Sequence, residues 1–349
     1  MRTLWVAALT LMGAALALTP WNANATPMTG QQRAEAAGRG MLGAPAPKLA
    51  LKTIDGSTID LGALYGKKAV YLKFWATWCV PCRQQMPHFE HAYETAGPDL
   101  AVIAINSGFN DSLDDVVAFR KKLGITMPIV LDDGQAAAAF NLRVTPQHIV
   151  IGRDGRIQYV GHEADARLDA ALAAARTTAY TGSQPASATT TIGVRRYGVG
   201  DRLPDISAAT LDGRTIRAQD SREKRPTVLV FISPWCESYL ETSRPSMSKS
   251  CREVREQVDA LAKRGMRVRW LAIASGLWAT KEDLLDYKSK YKSTIPLTLD
   301  DSGTLFRSFR VMNVPTLLIA DANGQIVRRV EGFDADLPAE LQTCCGRGH

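Results

Sequence analysis

The chain has 349 residues, of which 46% are hydrophobic and 22% charged, and its formal net charge is +7. This length exceeds what one ordinary hydrophobic core holds and predicts about two domains, and the composition excludes a disordered chain. The Lys and Arg residues are scattered without a long basic run. They indicate a solvated surface and argue against nucleic acid as a partner.

Residues 1–25 are predicted to be a signal peptide. Arg2 precedes an apolar run, residues 4–18, that is too short for a comfortable membrane span. Ala23-Asn24-Ala25 forms a small-x-small cleavage site. Cleavage there would leave no stable membrane insertion, whereas an uncleaved N-terminal anchor is the alternative. Export favours the periplasm, an oxidising compartment in which disulfides persist.

Beyond this segment the sequence repeats itself. Three matched pairs carry the repeat: residues 53–59 with 210–216, Cys79 with Cys236, and Pro146 with Pro315. The first two pairs lie at an offset of 157 residues and the third at 169. Offsets that change only in small steps predict one architecture used twice. The offset rises from 157 to 168 before Ala272, so the second copy carries 11 extra residues after its cysteine.

The predicted segments follow from the repeat and from polar, Gly- and Ser-containing stretches. They are a signal peptide (1–25), a flexible lead (26–40), a first domain (41–178), a linker (179–195), a second domain (196–340) and a Cys/His tail (341–349). In chain order, the first copy is predicted to contain a strand at 68–76, helices at 83–96 and 113–123 around a strand at 100–105, and hairpin strands at 148–151 and 156–160. This order predicts an α/β fold with a mixed sheet flanked by helices in each copy.

The segment Trp78-Cys79-Val80-Pro81-Cys82 follows a predicted strand and opens a predicted helix, which is the placement of a redox C-x-x-C motif. At the helix N-terminus the free N–H groups and the dipole would stabilise a thiolate on Cys79. Cys82 lies one turn further on, close enough for a disulfide. We therefore expect Cys79 to attack and Cys82 to resolve. A structural disulfide and half of a zinc site are the alternatives, but the first copy offers no second ligand pair, so no metal is expected.

Residues 74–82 (FWATWCVPC) resemble the active site of the thioredoxin superfamily, and most of all its exported TlpA/ResA-like branch. Thr145-Pro146 falls where that family has a cis-proline facing the dithiol. The resemblance implies two tandem thioredoxin-like domains, no organic cofactor, and client proteins with disulfides or thiols that dock against Trp78, Thr145 and Pro146. It also implies a reducing role of the cytochrome c maturation or copper-site assembly type, with electrons from a membrane-borne donor.

Two positions depart from the family pattern. Thioredoxins place a buried Asp on the strand before the motif, where this chain has Lys73, and TlpA/ResA relatives often have a Glu where this chain has Gln85. Both usual carboxylates for proton transfer to the second thiol are therefore missing, although only the thiolate attacks. Lys73 is expected either to favour the thiolate electrostatically or to point outward.

The second copy keeps Cys236 but has Tyr239 where the resolving cysteine would stand. Three interpretations remain open: Cys236 is a monothiol, it pairs with Cys251 in a bond that is either structural or redox-active, or the second domain is a redox-silent binding platform. Fifteen residues of unbroken helix would span roughly 22 Å, so pairing requires a break, which residues 243–246 around Pro245 offer.

The sequence also bears on peroxidase activity and on client binding or copper delivery. Peroxiredoxins carry a Pro seven residues before the reactive cysteine, where this chain has Leu72 and Leu229, so a peroxidase is disfavoured. The main alternative is a client-binding protein whose second domain, lacking its resolving cysteine, holds the client. A copper-delivery protein is also considered, because Cys344, Cys345 and His349 lie in the tail and such ligands suit a soft metal, although these thiols could also be incidental in a mobile tail.

Overall fold

The computed structural model describes residues 28–180, 194–219 and 223–345. The predicted signal peptide, most of the predicted linker, and His349 lie outside these residues, as do the side chains of Cys344 and Cys345. Within the described ranges, no helix has both the length and the apolar character needed to cross a membrane.

The first copy is preceded by a helix and contains seven strands. In chain order its elements are α1 (Gly30–Gly38), β1 (Ala50–Lys52), β2 (Thr58–Asp60), α2 (Leu61–Leu64), β3 (Ala69–Trp75), α3 (Val80–Gln84), α4 (Met86–Glu94), a 3-10 helix (Gly97–Asp99), β4 (Leu100–Asn106), α5 (Leu113–Leu123), β5 (Ile129–Leu131), α6 (Gln135–Ala139), β6 (Gln147–Ile151), β7 (Ile157–Gly161) and α7 (Ala166–Thr177).

The second copy repeats this order. Its elements are β8 (Ser207–Ala209), β9 (Thr215–Arg217), β10 (Thr227–Ile232), α8 (Cys236–Tyr239), α9 (Pro245–Lys263), β11 (Arg269–Ser275), α10 (Lys281–Tyr291), β12 (Leu297–Asp300), α11 (Thr304–Ser308), β13 (Thr316–Ala320), β14 (Ile326–Glu331) and α12 (Leu337–Cys345). The extra residues of this copy lie in the α8–α9 region, where α9 has 19 residues and its counterpart α4 has nine.

Each copy is built on a five-stranded mixed sheet. The strand order is β5-β4-β3-β6-β7 in the first and β12-β11-β10-β13-β14 in the second. The central strand, β3 or β10, is parallel to one neighbour and antiparallel to the other. All seven residues of β3 are buried, as expected for an apolar strand covered on both faces. The prediction of two tandem thioredoxin-like domains, each a mixed sheet flanked by helices, is confirmed.

Two predicted boundaries are wrong. The lead at 26–40 is not a flexible segment throughout, because α1 occupies residues 30–38. A capping box between Thr29 and Gln32 starts this helix, and Ala34 and Ala37 are buried where α1 packs on β7. The second domain also extends beyond residue 340, since α12 continues into the predicted tail and its Leu341 is fully buried.

The two copies share one hydrophobic core on their facing sides. A single cluster of buried side chains joins Trp78 and Phe109 of the first copy to Phe231 and Phe306 of the second. The rings of Phe109 and Phe306 lie 6.1 Å apart across the boundary. The copies therefore meet through apolar packing continuous with their interiors, and this packing positions the site described next.

Candidate functional site

Cys79 and Cys82 form a disulfide at the start of α3, with their Cα atoms 5.2 Å apart. Cys79 is the N-cap of this helix, and its Sγ accepts a hydrogen bond from the N–H of Cys82 at 3.2 Å. Pro81 lies in the first turn, where a missing N–H leaves no intrahelical bond unmade. Both cysteines are buried, at 1% and 0% exposure, so a client cannot reach them in this arrangement.

The loop before the dithiol is held by a buried carboxylate. Asp111 accepts hydrogen bonds from the N–H and the hydroxyl of Thr77, at 2.7 and 2.5 Å, and from the amide of Asn106 at 2.7 Å. Burial raises the pKa of Asp111, while the hydrogen bonds from Thr77 and Asn106 oppose this effect. Beside it, the indole of Trp78 donates to the carbonyl of Phe109 at 2.9 Å. These contacts fix the orientation of the loop that carries Cys79.

The three residues expected to dock clients lie together around the dithiol. The Thr145-Pro146 peptide bond is cis, and the Pro146 carbonyl lies 2.7 Å from Nδ1 of His162. Trp78 and Thr145 are 3% and 5% exposed. Both are covered by the second copy, so their role in docking clients stays a prediction. The matching bond in the second copy, Val314-Pro315, is also cis.

A network of buried, hydrogen-bonded side chains occupies the region where the family's two carboxylates are missing. The ring of His148 lies 2.8 Å from the hydroxyl of Tyr71 through Nδ1 and 2.8 Å from Oε1 of Gln85 through Nε2. The amide nitrogen of Gln85 donates to the carbonyl of His162 at 3.1 Å. Because an amide oxygen only accepts, Nε2 of His148 carries the proton and Nδ1 accepts from Tyr71. Both ring nitrogens of His148 therefore have hydrogen-bond partners when the imidazole is neutral.

Lys73 is fully buried beside this network, and its Nζ makes no hydrogen bond. It lies opposite His148 in the β3–β6 pairing, 5.3 Å from the centroid of the Phe89 ring. Burial lowers the pKa of Lys73 to about 7. Burial also holds the pKa of His148 well below its usual range, with Lys73 the next cause. The outward orientation considered for Lys73 is therefore wrong, and the amine is poised between its charged and neutral forms near neutral pH.

The second copy contains a different disulfide. Cys236 and Cys251 are bonded, with Cα atoms 6.2 Å apart. The pairing is made possible by the break between α8 and α9, where α9 begins at Pro245. Of the three interpretations of Cys236, the structure therefore shows the pairing with Cys251.

Aromatic side chains of the second copy cover Trp78 and contact Val80, the two residues that flank Cys79. The ring of Trp78 stacks on Trp235 at 5.2 Å and meets Trp278 edge-on at 5.0 Å and Tyr239 at 6.1 Å. The hydroxyl of Tyr239 accepts a hydrogen bond from the N–H of Val80 at 3.2 Å. The residue that replaces the missing resolving cysteine therefore contacts the first copy next to Cys79.

An ion pair between the two copies lies close to these aromatic contacts. The guanidinium of Arg244 donates to Oδ1 of Asp111 at 2.9 Å and to the hydroxyl of Thr77 at 2.7 Å, and lies 3.2 Å from Asp115. The side chain of Asp111 is fully buried, and Arg244 of the second copy forms an ion pair with it. Sequence reasoning missed both partners, because nothing in the local pattern links residues 133 positions apart.

A cleft of about 330 Å³ remains at the edge of the aromatic contacts. Its lining comes from α1, from both sides of the dithiol loop and from the second copy, and includes Arg33, Pro81, Thr145, Trp235 and Trp278. Trp78 and Pro81, which lie on either side of Cys79 in the sequence, both line this cleft. No group of three or more His, Cys, Asp or Glu side chains suited to a metal ion occurs among the described residues.

Comparisons with known proteins agree with this site. The thioredoxin-like protein YneN of Bacillus subtilis (strain 168) is 38% identical over 117 residues, which is 33% of this chain and 68% of that protein. The thiol-disulfide oxidoreductases ResA of the same organism and of Halalkalibacterium halodurans are 33% and 36% identical over 117 residues, covering 64% and 65% of their lengths. The chain thus matches about two thirds of each relative.

A thiol:disulfide interchange protein of the thioredoxin family from Chlorobium tepidum TLS has a similar solved structure. It is 29% identical, covers 38% of this chain and 95% of its own, and has a TM-score of 0.35. A family model described as the AhpC/TSA family matches residues 42–160 and 199–329, one copy after the other. Because these two matches make up more than half of the chain, the chain belongs to the AhpC/TSA family of thioredoxin-like proteins.

Proposed function

We propose that the chain is an exported thiol–disulfide oxidoreductase that reduces disulfides of client proteins through Cys79 and Cys82. The observation that carries the proposal is the closed dithiol at the start of α3. The ResA relatives are named for the same activity. An N-capping sulfur that accepts a backbone N–H is positioned for the thiolate that such chemistry requires.

The reaction needs only sulfur, protons and two electrons. In the reduced protein the Cys79 thiolate attacks one sulfur of a client disulfide, forms a mixed disulfide and expels one client thiolate. Cys82, deprotonated, then attacks the Cys79 sulfur, closes the Cys79–Cys82 bond and expels the second client thiolate. The client gains two electrons and two protons, and the protein loses the same number. A dithiol donor must then reduce Cys79–Cys82 again.

The finer assignments are part of the proposal. We place the protein in the periplasm, with a membrane-borne dithiol donor and with clients of the cytochrome c maturation or copper-site assembly type. They are supported by the predicted signal peptide and by the resemblance of residues 74–82 to exported reductases.

A trapping experiment tests the roles of the two cysteines. Cys82→Ser leaves the attacking thiol but removes the resolving one, so the mixed disulfide with clients should accumulate on a non-reducing gel. The double variant Cys79→Ser/Cys82→Ser is the matched control and should trap nothing. If Cys82→Ser forms no adduct with extracts or with a disulfide-bonded peptide, Cys79 is not the attacking thiol.

The reduction potential decides the direction of electron flow. Equilibration with glutathione or dithiothreitol buffers, with the Cys236–Cys251 pair removed by substitution, isolates the first dithiol. A value near roughly −270 mV is expected for a reductant of the thioredoxin kind. A value near about −120 mV would make the protein a disulfide donor and would contradict the reducing role.

A further inference from the structure

Two short loops related by the repeat connect the copies. Asn110 follows β4, and its counterpart at an offset of 168 residues, Trp278, follows β11. Both residues have left-handed backbones, with φ of 57° and 63°. A tryptophan rarely adopts this conformation, so the surrounding contacts must hold Trp278 in place.

The loops bind each other's copy through equivalent hydrogen bonds. The N–H of Asn110 donates to the carbonyl of Met312 at 2.7 Å, and the N–H of Trp278 donates to the carbonyl of Arg143 at 2.9 Å. Met312 and Arg143 each lie three residues before the cis-proline of their own copy. Each loop is therefore bound to the segment that leads into the other copy's cis-proline.

The side chain of Trp278 extends this contact onto the residues predicted to dock clients. Its Nε1 donates to the hydroxyl of Thr145 at 3.0 Å, and its ring lies 5.0 Å from that of Trp78. We call Trp78 and residues 143–146 of the first copy the client-docking edge. Trp278 of the second copy makes three contacts with this edge: with the Arg143 carbonyl, with the Thr145 hydroxyl and with the ring of Trp78.

We infer that Trp278 is an internal occupant of the client-docking edge and that a client binds by displacing it. This inference rests on the proposed function. The contacts define what a client must offer: a backbone N–H for the Arg143 carbonyl, and an aromatic side chain with a polar hydrogen for Thr145 and Trp78. The client class is therefore a segment with Trp or Tyr beside its cysteine.

Displacement also explains how a buried dithiol can turn over. Cys79 is 1% exposed, and on this inference only the fraction of molecules in which Trp278 has moved aside can react. The apparent affinity for clients falls by that fraction. Weakening the occupant therefore raises the rate of reaction at Cys79, whereas an occupant that served only to stabilise the fold would not limit it.

The test compares the parent chain with two variants, Trp278→Ala and Tyr239→Phe. Phe333→Ala is the control, because Phe333 is an exposed aromatic residue of the second copy. The reduced proteins are alkylated with iodoacetamide, and the rate at Cys79 is followed by mass spectrometry. Turnover is measured with two disulfide-bonded peptides that differ only in carrying Trp or Ala beside the cysteine.

Trp278→Ala should raise both the alkylation rate at Cys79 and kcat/KM by about tenfold, as expected for the loss of a hydrogen bond and an aromatic contact. Tyr239→Phe removes one hydroxyl, keeps the ring and should raise both less, so the test does not depend on the folding of one variant. The Trp peptide should react faster than the Ala peptide, and Phe333→Ala should behave as the parent chain.

Three results would overturn the inference: unchanged rates in both variants, reduction of both peptides at equal rates, or slower turnover of the Trp peptide by Trp278→Ala. Faster alkylation of Cys79 without reduction of either peptide would support the internal occupant and contradict the proposed function. The failure of one proposal is therefore distinguishable from the failure of the other.

Discussion

The buried amine of Lys73 gives the folded protein a pH dependence that can be isolated by one substitution, Lys73→Met. Methionine fills a similar volume with an unbranched side chain and carries no charge. The amine of Lys73 has no hydrogen-bond partner to lose, so the substitution removes mainly the cost of a buried charge. We expect Lys73→Met to be more stable than the parent chain at neutral and acidic pH.

The magnitude follows from the pKa of Lys73, which burial lowers from 10.5 to about 7. Between these two values the unfolded chain binds more protons than the folded one, so the stability of the parent chain rises with pH. The full difference corresponds to about 5 kcal/mol, of which about 2 kcal/mol falls between pH 7 and pH 9. The advantage of Lys73→Met should shrink by that amount over this range.

Urea unfolding of the oxidised proteins at pH 7, 8 and 9 measures this change. Lys67→Met is the matched control, because Lys67 is exposed in the turn before β3 and loses no buried charge. The other titrating groups are common to the compared proteins and cancel in the difference, except His148, whose pKa Lys73 helps to lower. A gap between Lys73→Met and the parent chain that stays constant from pH 7 to pH 9 would refute the assignment of a perturbed buried amine.

Two further predictions concern the second disulfide and the missing carboxylate. Replacing Cys236 and Cys251 by Ala opens a loop of 15 residues and should lower the free energy of unfolding by about 3 kcal/mol, measured in denaturant, whereas a change near zero would mean that the bond adds no constraint. Gln85→Glu would place a carboxylate against Nε2 of His148, 2.8 Å from the present amide oxygen, and should raise the pKa of His148. Titration of the imidazole by NMR checks this, and an unmoved pKa would contradict the hydrogen-bonded network.

Six elements of the first copy could be predicted because local patterns determine them. The helix predicted at 113–123 is α5, whose N-terminus is fixed by a capping box at Ser112 and whose C-terminus is fixed by Gly124 in a left-handed conformation. The repeat extended the predicted architecture, with a candidate cis-proline at Pro315, to the second copy. Short elements such as β1, β2 and β5 were not predicted.

The orientation of Lys73 could not be predicted for a physical reason. A half-buried strand alternates apolar and polar residues, and this alternation shows which face each side chain takes. In β3 all seven positions are buried, so Lys73 is surrounded by apolar neighbours on both sides and the pattern carries no information about its face. Only the pairing of β3 with β6, which sets His148 opposite, reveals its environment.

The sequence offered Cys251 as a partner of Cys236 but could not decide among the three interpretations, and it gave no sign of the contacts of the second copy beside the dithiol. Both depend on contacts between distant segments. Pro245 offered a break, but the angle at which α9 returns across α8 is set by packing. The contact of Arg244 with Asp111 similarly depends on how two complete domains meet. Sequence separation alone gives no measure of such angles.

One explanation accounts for two features of the second copy: the missing resolving cysteine and the longer α8–α9 region. A thiol at position 239 would lack the aromatic contact with Trp78 and the hydroxyl that accepts from Val80. With Tyr239 there, Cys236 has no resolver in α8, and the extended α9 supplies Cys251 instead. The same break places Arg244 against Asp111 of the first copy. Tyr239, which stands in place of the resolving cysteine, and Arg244 therefore both contact the first copy beside its dithiol, as expected if the second copy controls access to that dithiol.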